Sequence, residues 1–348
     1  MAPIGRREAL IWTVGSVAAV GGLPSIAMGA RQNATPLTTS NARDWILRVG
    51  VNVRKYQPRS NGRMPRTDGF EFKQAAVVYP LVDRSAASQL DVRRVAGKVE
   101  LDDRLVTDKH TVIEGYHSGQ KLARFDLTDV KADEMELELE LPTRCFRTRL
   151  DEAAAANVQW PNDWPEAAES TFAPQMYVNY DPRGEYDMKR IQGLVRKWTG
   201  GKPKSQPPFV TAKWLTGQVI NHFQPSGDGL NFDRSGMIEG LDFERGGAAF
   251  AAQRKRGTPW DMVALYVAVM REAGIPARLV VGYDAGGKQD EDDFLGGGNR
   301  DPVLRAWAEW FLPSGGREGG VWVPADVVEA RKTASRLPNN FMDRPLPF

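Results

Sequence analysis

Between residues 40 and 150, hydrophobic and polar positions alternate with a period of two. Leu47, Val49, Val51 and Val53 alternate with polar or small residues. Met135, Leu137, Leu139 and Leu141 alternate with Glu134, Glu136, Glu138 and Glu140. That period places one face of a strand on a core and the other in water. Residues 75–79 and 111–113 are also β-rich, and together these segments predict an antiparallel β-sandwich. From residue 207 the spacing turns helical. Ala212, Leu215, Val219 and Phe223 fall on one face of a helix that opens after Pro207-Pro208 and is stopped by Pro225. His222 lies in its last turn, where a protonated side chain would suit the helix dipole. The fold class expected is α+β: a sandwich over 40–150, a connector containing a helix over 151–206, an α+β core over 207–330 and a tail over 331–348. The connector carries Trp160-Pro161-Asn162-Asp163-Trp164-Pro165, whose two indoles are expected to pack between domains.

The first 30 residues read as an export signal. Arg6 and Arg7 precede an apolar stretch over 9–20, and the small-residue segment Ala27-Met28-Gly29-Ala30 follows. The stretch is shorter than the roughly 20 residues a membrane span needs. Gly5-Arg6-Arg7-Glu8-Ala9-Leu10 resembles a twin-arginine signal with Gly in place of the usual Ser or Thr. Cleavage after Gly29 or Ala30 would leave no membrane span and a periplasmic or extracellular protein.

Composition narrows the chemistry. At 348 residues, 41% hydrophobic and 26% charged, the chain is globular and long enough for about two domains. Lys plus Arg number 46 against 44 Asp plus Glu, so no basic surplus points to nucleic acid. The run Arg254-Lys255-Arg256 is expected to be a solvated loop. Cys145 is the single cysteine, which rules out an intrachain disulfide. It follows a sandwich strand, where a free thiol usually acts as a small buried hydrophobe. His110, His117 and His222 are the three histidines, and no Cys/His metal site can be assembled. The run 290–293, Asp-Glu-Asp-Asp, sits between glycine runs without calcium-loop spacing and reads as a solvated loop. No cofactor and no metal is expected.

Residues 257–278 make a helix with well-marked ends. Thr258 is an N-cap, Pro259 suits the first helical position, and Asp261 completes a Thr-x-x-Asp capping box. Met262, Leu265, Tyr266 and Val269 form its apolar face, Gly274 is the left-handed stop, and residues 279–283 read as a buried strand. This helix, the following Gly274-Ile275-Pro276-Ala277-Arg278, then Ala306-Trp307-Ala308-Glu309 and a final Asp326 resemble the core of the transglutaminase-like superfamily, over roughly residues 207–328.

The resemblance implies a papain-like α+β core and a triad of Cys nucleophile, His base and orienting Asp. Here the Cys position is Pro259 and the His position is Arg305; only Asp326 matches. Proline has no nucleophile, and arginine stays charged near neutrality. No Cys or His occurs after residue 222. The resemblance therefore implies a non-catalytic protein that binds a polypeptide or protein partner, or a cell-wall peptide, in the degenerate cleft. Thr258, Trp260 and Trp307 are the further candidates to line it. Arg305 is expected to pair with Asp326 across adjacent strands, with a strand-end role for Asp326 as the alternative. A second function remains open: an unconventional hydrolase or amide transferase acting on peptides, with Thr258 as nucleophile.

Overall fold

A computed structural model describes residues 11–19, 35–54, 69–116, 120–180, 188–227, 230–232, 238–241, 247–283, 304–314 and 319–333. The alternating segments are strands of two antiparallel sheets. One sheet has the order β1 (Ile11–Ala19), β2 (Leu37–Arg54), β9 (Glu134–Leu150), β5 (Ala96–Leu101), β6 (Arg104–Thr107), with β4 (Ser88–Leu90) also on β9. The other has the order β3 (Phe70–Val82), β8 (Gln120–Ala132), β7 (Thr111–Tyr116). Val49, Val51, Leu137, Leu139 and Leu141 of the first sheet meet Leu81, Ala123, Phe125 and Leu127 of the second in one buried cluster. The result is a sandwich with the expected inward residues. Its acidic face is not uniformly in water. Glu136 is half-buried, and burial, followed by the charges of Glu138, Glu100 and Glu134, raises its pKa.

The connector contains α1 (Glu152–Ala155), α2 (Glu166–Glu169) and α3 (Lys189–Thr199). Then come α4 (Pro208–His222), the short strands β10 (Gln224–Pro225), β11 (Leu230–Phe232) and β12 (Ile238–Leu241), α5 (Gly247–Arg254) and β13 (Arg256–Gly257). The central helix α6 (Pro259–Glu272) leads into the antiparallel sheet β14 (Ala277–Tyr283), β15 (Leu304–Pro313), β16 (Gly320–Ala325), and α7 (Val327–Thr333) closes the described chain.

Both long helices begin and end as the sequence indicates, but the single apolar faces understate their burial. In α6 every residue from Trp260 to Arg271 is buried, because α3, α4, α5, β14 and β15 surround it. The strand after it is less enclosed than expected: Val281 is 36% exposed. Arg254, Lys255 and Arg256 are exposed as expected, but only Lys255 is loop, since Arg254 ends α5 and Arg256 belongs to β13.

Trp160 and Trp164 join a chain of edge-on aromatic contacts. Trp160 meets Trp164, Trp164 meets Phe311 and Phe311 meets Trp322, at centroid separations of 6.2, 6.1 and 5.2 Å. The connector loop thereby lies on the core sheet. Among the described residues no helix is long and apolar enough to cross a membrane. Residues 1–10 and 20–30 of the expected signal, His117, the acidic segment 284–300 and the tail beyond residue 333 lie outside the described residues.

Candidate functional site

The start of α6 is fixed by a reciprocal cap. The Thr258 hydroxyl accepts from Asp261 N–H at 3.3 Å and donates to Asp261 Oδ2 at 3.1 Å, while Thr258 N–H donates to the same oxygen at 3.0 Å. Thr258 is 8% exposed and Asp261 fully buried. Pro259 occupies the first helical position, half-buried, where its missing N–H costs nothing. A threonine held this way by its own helix is a cap. Trp260 is 1% exposed and packs in the core cluster, so it does not line a surface cleft as expected.

Arg305 and Trp307 stand on β15. Gly282 pairs with Arg305 and Val280 with Trp307, so both side chains share the sheet face of Glu309 and Phe311. Ala306, Ala308, Trp310 and Leu312 on the other face join α6 in the core. Gly282 makes room for the Trp307 ring: a Cβ built there would lie 2.4 Å from the indole. Ala308 pairs with Ala325, and continuing that register puts Trp307 opposite Asp326, with Arg305 two residues further along β15.

Asp326 is the N-terminal cap of α7. Its Oδ1 accepts from Glu329 N–H at 2.9 Å and its carbonyl accepts from Ala330 N–H at 3.0 Å. Burial raises its pKa, while the Glu329 N–H and the charge of Arg305 act to lower it. Asp326 thus has the strand-end role, as the cap of α7, and Arg305 acts on it only through its charge.

Neither Cys145 nor His222 is part of the α6 cap. Cys145 lies on β9, paired with Arg43 and Ser88. Its thiol is half-buried, and burial, with a smaller effect of Asp44, raises its pKa, so it is protonated near neutrality. β10 runs parallel to β13, pairing Gln224 with Arg256 and Pro225 with Gly257. Ser226 therefore sits beside the entry to α6, its hydroxyl donating to Gly257 O at 3.2 Å, while His222 lies back toward the end of α5. His222 Nε2 is 3.1 Å from Ala252 O, and its ring stands edge-on to Trp198. Burial lowers its pKa. The imidazole is neutral near neutrality, which corrects the expectation of a protonated C-terminal residue. Nothing in the sequence marks Ser226, because only the β10–β13 pairing brings it to α6.

Sequence reasoning also missed the strongest polar contact on this sheet face. Arg278 Nε and Nη2 donate to Glu309 Oε2 at 3.0 and 2.7 Å. Glu309 is fully buried, and the Arg278 guanidinium lies 4.1 Å from the centroid of Trp322. Glu309 Oε1 accepts from Ala86 N–H at 2.8 Å, and Arg278 Nη2 donates to Arg84 O at 3.0 Å. A sandwich loop is thus anchored to the core sheet. A shallow concavity of about 460 Å3 lies at the other end of α6, lined by Lys202, Lys204, Ser205 and residues 272–274, about 20 Å from Pro259 along the helix. Among the described residues, no three His, Cys, Asp or Glu side chains cluster as metal ligands.

Residues 238–327 match the Transglutaminase-like superfamily. Among solved structures, a candidate cysteine protease from Cytophaga hutchinsonii aligns at 15% identity over 83% of this chain and 83% of its own, with a TM-score of 0.47. The periplasmic domain of TgpA from Pseudomonas aeruginosa aligns at 15% identity over 99% of this chain and 90% of its own, with a TM-score of 0.36. No curated protein matches the chain.

Proposed function

Because the chain carries a transglutaminase-like domain over residues 238–327, we propose that it is an exported, non-catalytic member of that superfamily that binds a polypeptide partner. The observation that carries this reading is the entry to α6. Pro259 stands where the superfamily's nucleophile belongs, and the hydroxyl beside it is committed to a capping box with a buried carboxylate. Arg305, in the place of the base, cannot give up its proton near neutrality. The surface left for a ligand is Arg305, Trp307 and Asp326 at the end of the core sheet, with Pro259 as the remaining candidate. Trp260 is not part of it, being a core residue.

Export rests on the layout of residues 1–30, and processing after Gly29 or Ala30 would remove β1 with the signal. The domain limits proposed are a sandwich over 40–150, a connector over 151–206 and a core over 207–330. The test is a binding titration with a fluorescently labelled glutamine-rich polypeptide. Saturable binding that weakens roughly tenfold or more in Trp307→Ala, as for a buried aromatic anchor, is expected. Binding unchanged in both Trp307→Ala and Arg305→Ala would refute this surface as the site.

A further inference from the structure

β3 is 13 residues long and stands at the edge of its sheet, and among the described residues it pairs with β8 alone. From Ala75 to Val82 its residues alternate between exposed and at least half-buried. From Glu71 to Gln74 all four residues are exposed, so this end of the strand has little cover on either face. Phe72 is 51% exposed there. Edge strands usually defend themselves by bulges, proline or inward charges. The only proline of β3 is Pro80, eight residues after Phe72.

The charges on this open end are arranged so that the strand complements itself. In an antiparallel pair of two copies centred on Phe72, Glu71 of each faces Lys73 of the other. Phe72 then meets Phe72, and Phe70 meets Gln74. A lone edge lysine would repel a second sheet, but here each lysine is given a glutamate. We propose that this edge is a homodimer interface, in which two β3 strands pair about a two-fold axis at Phe72 and the two three-stranded sheets become one of six strands. The contact is isologous and closed, so it makes dimers and not fibres. Pro80, without an N–H to donate, limits the pairing to the N-terminal part of the strand.

The experiment is sedimentation velocity on the purified protein over a concentration series, with Glu71→Lys, Lys73→Glu and the double swap. The native protein is expected to sediment with twice its mass of 38.6 kDa. Each single swap turns two opposite-charge pairs into two like-charge pairs and raises the dimer dissociation constant roughly tenfold. The double swap restores the attraction and the dimer. Native-like far-ultraviolet circular dichroism shows that the variants fold. A native protein that is monomeric at every concentration overturns the proposal, as does a dimer indifferent to the single swaps or a double swap that fails to restore it.

Discussion

Replacing Glu309 by Gln removes one charge from the most enclosed ion pair of the core while leaving shape and volume almost unchanged. The glutamine Oε1 can still accept from Ala86 N–H, as the carboxylate does at 2.8 Å. Its amide, however, presents a donor to the Arg278 nitrogens that stood 2.7 and 3.0 Å from Oε2. The Arg278 side chain is only 12% exposed and Glu309 is fully buried, so water cannot replace the lost carboxylate. Breaking a buried pair from one side costs about 3–5 kcal/mol, a large share of the roughly 5–15 kcal/mol that holds a domain folded. Urea unfolding followed by tryptophan fluorescence measures the loss. Adding Arg278→Met removes the stranded charge, so the double variant should be more stable than Glu309→Gln alone. A single-variant cost under about 1 kcal/mol, or a double variant whose cost is the sum of the two singles, would refute the reasoning.

Thr258→Ala deletes the side-chain half of the α6 cap and is expected to cost about 1–2 kcal/mol of unfolding free energy, with polypeptide binding retained; a loss of binding without a loss of stability would contradict a capping role. Asp326→Asn keeps a good cap and removes a carboxylate whose pKa burial raises above 3.8. The charged form is the one disfavoured in the fold, so native stability falls as pH rises through the folded pKa. The Asn variant should therefore gain on the native protein with rising pH and match it in acid; the opposite slope would mean that Arg305 outweighs burial. Cys145, protonated by burial, should alkylate slowly with iodoacetamide in the folded protein and rapidly in urea, and equal rates would refute its assignment as a packed thiol.

The local rules of the fold were legible where neighbours in sequence decide the outcome. The Thr258–Asp261 capping box and the Gly274 stop depend on residues within one helix, and both occur as expected, Gly274 at φ 84°. The inward set of β9 follows from strict alternation. Burial on every side of α6 did not, since it is enclosed by other elements, α3, α4, α5, β14 and β15. The same holds for His222, whose neutrality follows from burial by distant parts of the chain, even though the Ala252 carbonyl acts to raise its pKa. Arg278 and Glu309 were both visible within the family-like segments, but they are 31 residues apart, and their loop partners lie 194 and 223 residues upstream of them. Only the β14–β15 register sets them side by side. The site positions Pro259, Arg305 and Asp326 could be named from motif spacing; that Trp260 is core and Asp326 a helix cap could not.

This transglutaminase-like domain is proposed to do no covalent chemistry. The most direct test is to incubate the purified protein with a glutamine-rich polypeptide and a labelled amine, and to follow both amine incorporation and backbone cleavage. The Pro259→Cys/Arg305→His variant runs in parallel to report whether the superfamily's catalytic geometry can be installed. No turnover above background by the native protein is expected. Turnover by the native protein that disappears in Thr258→Ala or Ser226→Ala would contradict it and place a working nucleophile at the entry to α6.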